Sequence, residues 1–128
     1  MKALVIDDSE ALRTLFQIFL QQLGYTTDGA ADGSDAFGML QGHQYDLILS
    51  DMDMPVVDGR QLYKRIEEHF PHMLNRIIFA TGSSLDGEIG RFLSSVSCPV
   101  LLKPFMLNDL KRCIDSVSGQ GYDACINV

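Results

Sequence analysis

Three cysteines are all that the 128 residues hold: Cys98, Cys113 and Cys125. They are odd in number, widely spaced and without a Cys-x-x-Cys pair. That excludes a disulfide framework or a zinc site and reads as reduced thiols in a cytoplasmic protein. No apolar run approaches the roughly 20 residues that a membrane-spanning helix needs. Met1-Lys2 leads straight into an apolar segment, without a signal peptide. Basic residues are few: 10 Lys and Arg against 17 Asp and Glu, a formal net charge of −7. Nucleic acid and anionic membrane both need clustered Lys and Arg, so neither is expected as a partner. The surplus of carboxylates suits a divalent cation instead. Repeats, low-complexity segments and internal linkers are also lacking. No G-x-G-x-x-G follows the first apolar run, and there is no G-x-x-x-x-G-K-[ST], which removes support for dinucleotide and P-loop folds. His43, His69 and His72 have no Cys or Asp at metal-ligand spacing and read as surface residues.

What is present is a repeated grammar. The stretch YDLILSDMDMPVVDG, residues 45–59, begins with the apolar run Leu47-Ile48-Leu49 and turns polar at Ser50-Asp51, with Asp53, Pro55 and Asp58-Gly59 beyond. Leu4-Val5-Ile6 ends at Asp7-Asp8, Ile77-Ile78-Phe79-Ala80 at Thr81-Gly82, and Val100-Leu101-Leu102 at Lys103-Pro104. Short apolar runs bounded by turn residues read as buried strands. If the strands are parallel, their polar ends share the carboxyl edge of the sheet, where sites form in open α/β folds. Taken singly, Thr81 is a strand-end turn residue and Lys103 a solvated lysine; the recurrence at four strand ends favours a site.

Between the strands, helical periodicity predicts helices over 9–23 (inner positions Leu12, Leu15, Phe16, Phe19, Leu20, Leu23), from Asp32 through 41 (Ala36, Phe37, Leu40), 59–70 (Leu62, Tyr63, Ile66, Phe70), 85–95 (Ile89, Phe92, Leu93) and 107–117 (Leu110, Ile114, Val117). Ser9 or Asp8 and Asp32 are the expected caps, Gly24 and Pro71 the expected stops. Gly87 and Gly90 should make the fourth helix the least rigid. Tyr25–Ala30 is a weaker strand. Strict alternation of strand and helix predicts one parallel sheet with right-handed crossovers, flanked by helices on both faces. Residues 1–118 form the expected domain and 119–128 a C-terminal tail, too short to fold as an output domain.

Asp7, Asp8 and Asp51 in one pocket would repel each other and raise one another's pKa. A hard divalent ion relieves this; three acids with open positions suit magnesium, although spacing alone does not separate it from manganese. An Asp beside such an ion can attack phosphorus to give an aspartyl phosphate. Positioning and charge neutralisation carry this kind of transfer. Lys103 offers a compact cation and Thr81 a hydroxyl for the phosphoryl oxygens. Asp46 and Asp58 read as structural caps or loop acids.

The chain resembles the receiver domain of two-component response regulators over residues 2–117. The resemblance rests on Asp7-Asp8, on Asp51 within D-M-D-M-P-V-V-D-G, on Thr81-Gly82 and on Lys103-Pro104-Phe105. It implies a flavodoxin-like fold, a doubly wound five-stranded parallel sheet of order 2-1-3-4-5. It implies Asp51 as phosphoacceptor, with a histidine kinase or histidine phosphotransfer protein as donor. Magnesium would be held by Asp8, Asp51 and the backbone carbonyl of Asp53, with Asp7 acting through water. Thr81 and Lys103 would bind the phosphoryl group, and the Lys103–Pro104 bond would be cis. Such a domain catalyses only its own phosphorylation and dephosphorylation. The segment 81–105 also resembles receivers appended to hybrid histidine kinases, in which the parent would carry the kinase activity.

Two departures stand out. Val100 occupies the position, three residues before the lysine, where family members often carry Tyr or Phe. Without an aromatic switch, the signal is expected to leave through the loop of Gly82, Ser83 and Ser84 and through the fourth helix. Asp53 places an additional acid facing the phosphoryl group. Two other readings compete. A haloacid-dehalogenase-type phosphatase also uses an Asp nucleophile with a second Asp two residues on, but Pro55 departs from its motif and the extra acid pair opens the chain instead of following the lysine. A degenerate receiver acting only as a binding module is opposed by the intact acids, Thr81 and Lys103.

Overall fold

The computed structural model describes residues 1–54, 58–82, 85 and 87–118, with side chains to residue 116. Five strands, β1 (Lys2–Ile6), β2 (Thr26–Ala30), β3 (Leu47–Asp51), β4 (Ile77–Thr81) and β5 (Val100–Leu102), alternate with five helices. The helices are α1 (Glu10–Gln22), α2 (Gly33–Gly42), α3 (Gly59–His69), α4 (Gly87–Ser95) and α5 (Leu107–Ser118). The strands form one sheet of order β2-β1-β3-β4-β5. Every pairing in it is parallel, as the alternation of elements requires.

β3 and β4 are buried along their whole length. Their side chains alternate between two cores, as period-2 geometry dictates. Leu4, Ile6, Ile48, Ile77, Phe79 and Val100 meet Ala36, Leu40, Leu62, Ile66 and Leu93 from α2, α3 and α4. Ala3, Val5, Leu47, Leu49, Ile78, Ala80 and Leu101 meet Phe16 and Leu20 of α1 and Leu110 and Cys113 of α5. An unbroken apolar run therefore serves both faces at once. No helix among the described residues is long and apolar enough to cross a membrane.

The helix ends follow local chemistry. Ser9 caps α1 by accepting from Leu12 N–H, and Asp32 caps α2 by accepting from Asp35 N–H. Asp58 and Gln61 form a reciprocal capping box on α3. α1 ends in a Schellman motif: Gly24 N–H donates to Gln21 O and Tyr25 N–H to Leu20 O, both at 3.0 Å. Gly24 takes the left-handed φ of 98° that this motif requires.

One expectation is corrected and two are refined. Leu15 is 40% exposed instead of lining the core. The buried stripe of α1 centres on Phe16 and Leu20, and Leu15 lies on its shoulder. Pro71 does more than stop α3: Pro71–Arg76 is a 3-10 helix that buries Met73 and delivers the chain to β4. The fourth helix begins at Gly87, two residues later than its periodicity indicates. Val117 lies beyond the described side chains; the tail 119–128, with Cys125, and Ser83 and Ser84 lie outside the described residues altogether. All three histidines are exposed. Cys98 and Cys113 are both buried, and burial pushes the Cys98 thiol up to about 12.

Two consequences for stability are testable. A Cβ at Gly38 meets nothing within 4 Å, whereas at Gly90 it would fall on the Leu85 backbone carbonyl. Gly38→Ala should stabilise the domain by about 1 kcal/mol, and Gly90→Ala should destabilise it by about 1–3 kcal/mol, both read by urea unfolding. Separately, Tyr45 Oη donates to Asp28 Oδ2 at 2.7 Å. That bond, with the Lys2 ammonium, holds the Asp28 carboxyl below its ordinary value. A depressed acid contributes stability above the ordinary carboxylate pKa and loses it as pH falls through the depressed one. Tyr45→Phe should therefore flatten the acid limb of a Tm-against-pH profile below about pH 4.

Candidate functional site

Parallel register brings the strand ends level. Asp51 pairs with Ala80 across β3 and β4, and Thr81 with Leu102 across β4 and β5. The ladder continues past the strands: Asp7 N–H donates to Ala30 O (3.1 Å), Met52 N–H to Ala80 O (2.9 Å) and Lys103 N–H to Thr81 O (2.9 Å). Each polar residue that follows an apolar run is thus tied to its neighbour strand, and all lie at one edge of the sheet. The Lys103–Pro104 bond is cis, as the resemblance implies. Phe105 is 3% exposed and stacks on Phe16 of α1, ring centroids 4.6 Å apart. It anchors the segment from which Lys103 extends.

The site centres on the Lys103 ammonium. Nζ lies 3.0 Å from Asp7 Oδ2 and 3.3 Å from Asp51 Oδ1. Asp7 is further held by Ser9 N–H, which donates to its Oδ1 at 2.9 Å, and Arg13 Nη1 donates to its main-chain oxygen at 2.8 Å. Asp53 N–H donates to Asp51 Oδ1 at 3.3 Å. Thr81, fully buried, donates from Oγ1 to Asp53 Oδ2 at 3.4 Å. Asp7, Asp51 and Thr81 are buried while Asp8 is exposed, so the cluster opens to solvent on the Asp8 side. A groove lined by Met52, Asp53, Met54, Asp58, Arg60 and Ile89 runs beside it.

Burial raises the pKa of Asp51; Lys103 and the Asp53 N–H oppose that shift without cancelling it, and the Asp7 charge adds to it. Burial works against the Lys103 ammonium too, but hydrogen bonding and charge from Asp7 and Asp51 outweigh it and hold Lys103 above its ordinary value. A desolvated carboxylate of this kind gains from any cation brought to it. Oxygen atoms of Asp7, Asp8 and Asp51 come within 4.8 Å of one another. Three hard oxygen donors, one of them solvent-facing, fit magnesium.

The structure therefore brings Asp7, Asp8, Asp51, Asp53, Thr81 and Lys103 together. Asp58 and Asp46 do serve the backbone: Asp58 caps α3, and Asp46 Oδ2 accepts from Lys2 N–H at 2.8 Å. Sequence reasoning misses Arg13, which clamps the main chain at Asp7, and the contact of the Asp53 carboxylate with Thr81. The signal for Arg13 is its place one turn into a helix whose cap adjoins Asp7; the Asp53 contact spans strands and has no local signal. Pro55, Val56 and Val57 of the acidic motif lie outside the described residues.

Comparisons with known proteins agree with this geometry. The response regulator receiver domain family matches residues 3–115. The autoinducer 1 sensor kinase/phosphatase LuxN of Vibrio campbellii is 33% identical over 87% of the chain, but the chain spans only 13% of LuxN. Two-component response regulator 24 of Arabidopsis thaliana is 34% identical over 86% of the chain and 78% of its own length. Among solved structures, the receiver domain of a Pseudomonas aeruginosa sensor histidine kinase has a TM-score of 0.82 at 28% identity. The match covers 92% of this chain and 98% of that one, which holds a magnesium ion in its active site cleft.

The central ion pairs carry a prediction. Lys103→Ala leaves two buried carboxylates without their cation, and should cost about 2–3 kcal/mol in urea unfolding with EDTA present. Because those carboxylates then lack their only partner ammonium among the described contacts, added magnesium should raise the Tm of the variant more than that of the parent.

Proposed function

The chain belongs to the response regulator receiver domain family, and on that premise we propose that Asp51 is its phosphoacceptor within a two-component phosphorelay. The observation that carries this assignment is the clustering of Asp7, Asp8 and Asp51 at one sheet edge, with the Lys103 ammonium on Asp7 and Asp51. A carboxylate oxygen of Asp51 attacks the phosphorus of a phosphohistidine. The new O–P bond forms as the P–N bond breaks, and its electron pair returns to the imidazole nitrogen. Lys103 and Thr81 take phosphoryl oxygens, and Asp7 keeps Lys103 oriented. Asp8, Asp51 and the Asp53 backbone carbonyl would hold magnesium, with Asp7 acting through water. Bound there, the ion supplies positive charge to the transferring phosphoryl oxygens.

The domain is read as a signalling module that catalyses only its own phosphorylation and dephosphorylation, located in the cytoplasm. Its partner is a histidine kinase or histidine phosphotransfer protein. Leu15 and Ile18 on α1 and Met106 beside Phe105 are exposed apolar side chains that such a partner could contact. Residues 1–118 constitute the receiver domain and 119–128 a tail. Relatives include long sensor kinases and a short response regulator, so the proposal is confined to the domain. The haloacid-dehalogenase reading draws no support from a receiver match over residues 3–115.

Acetyl phosphate labelling tests the assignment. The parent should label with magnesium and not with EDTA, and Asp51→Asn should not label. Asp8→Ala should raise the magnesium concentration for half-maximal labelling by about tenfold or more, ~1.4 kcal/mol or above. An Asn variant that labels like the parent would overturn the assignment.

A further inference from the structure

We propose that the Asp53 carboxylate is a positioning residue that holds the Thr81 hydroxyl in the unphosphorylated protein and thereby weakens phosphoryl binding at Asp51; the inference rests on the receiver reading above. Thr81 is fully buried at the end of β4, and its Oγ1 donates to Asp53 Oδ2 at 3.4 Å. Asp53 is itself fixed from the main chain, where its N–H donates to Asp51 Oδ1 at 3.3 Å. The acceptor for Thr81 is therefore set by the same residue that hydrogen-bonds the phosphorylation site.

A hydroxyl has one proton to donate. When a phosphoryl oxygen takes it, the Asp53 carboxylate gives it up, so the transfer is an exchange of acceptors with no net gain of a bond. The exchange subtracts from whatever Thr81 contributes to holding the phosphoryl group. Lys103 is not subject to this exchange with Asp53, because its nearest carboxylates are Asp7 and Asp51. Asp53 is exposed and regains water when Thr81 leaves it. The bond is also long, so the effect is a modest bias toward the unphosphorylated form. A second effect, repulsion between the Asp53 charge and the phosphoryl oxygens, would act in the same direction and has to be separated from the first.

Beryllofluoride, a non-covalent phosphoryl mimic, can be titrated at saturating magnesium and followed by calorimetry. Asp53→Ala should bind it about threefold tighter than the parent, ~0.65 kcal/mol. Asp53→Asn loses the charge but keeps an acceptor for Thr81, and should gain less than the Ala variant. In a Thr81→Ala background, Asp53→Ala should gain nothing, because there is no hydroxyl to release. Unchanged or weaker binding by Asp53→Ala overturns the proposal. So does a gain that survives in the Thr81→Ala background or equal gains by Ala and Asn, since either assigns the effect to repulsion. A parent that binds beryllofluoride with magnesium keeps the receiver reading intact through all of these failures. A parent that binds none sinks that reading and this inference together.

Discussion

The Lys103 ammonium, set between the buried carboxylates of Asp7 and Asp51, is the interaction on which the site depends. Two buried acids at the ends of neighbouring strands repel each other, and each loses hydration as well. One cation that reaches both offsets much of that cost. Side-chain length follows strand distance. Strands lie about 4.8 Å apart. Asp51 ends β3; Thr81, one strand over, needs only a short side chain to approach the pocket, while Lys103, just past β5 and two strands away, needs a long unbranched one. The arrangement therefore requires the strand order as much as the residues. With β4 and β5 interchanged, the hydroxyl would fall short and the lysine would overshoot.

That order is maintained by elements remote from the chemistry. β5 is only three residues long. Its position rests on the Lys103 N–H bond to Thr81 O and on Phe105, whose ring stacks on Phe16. Phe16 belongs to α1, and the Lys103 ammonium lies 5.9 Å from its ring centroid. The same helix sends Arg13 to the Asp7 carbonyl. α1 thus supports the carboxylate and the ammonium of the central ion pair at once, and packing on one face of the sheet sets the electrostatics at its edge.

The parts of this architecture that are local in sequence are legible in the sequence alone. Apolar runs of three to four residues ending in Asp7, Asp51, Thr81 and Lys103 mark both strands and site, because a buried parallel strand is apolar on both faces and polarity returns only where it leaves the core. Ser9, Asp32 and Asp58 are recognisable as caps or structural acids for equally local reasons. What escapes depends on contacts between elements. Periodicity does not show that Leu15 lies on the shoulder of the α1 stripe, because the width of the buried face depends on what packs against it. The 3-10 helix after Pro71 has no repeating pattern of its own to read. By propensity alone Gly90 is a weakness in α4, whereas the Leu85 carbonyl leaves no space there for a Cβ.

Charge explains why metal and phosphoryl group belong together here. Asp7, Asp8, Asp51 and Asp53 against Lys103 leave the pocket formally at −3, within a chain whose net charge is −7. A dianionic phosphoryl group is repelled by such a pocket, and partial burial reduces the screening that water would otherwise provide. With a divalent cation present the same residues sum to −1. On the proposed assignment Thr81 then faces two acceptors, the Asp53 carboxylate to which it donates in this structure and the incoming oxygen, and the cation's charge favours the occupant that it also holds. The acids that make the pocket hostile to phosphate are the ones suited to recruit the cation, so the proposed phosphoryl binding would be conditional on the metal as a matter of electrostatics. Asp53 lies outside the central ion pairs but in contact with Thr81, which is why the proposed tuning of that conditionality falls to it and leaves the Lys103 ion pairs intact.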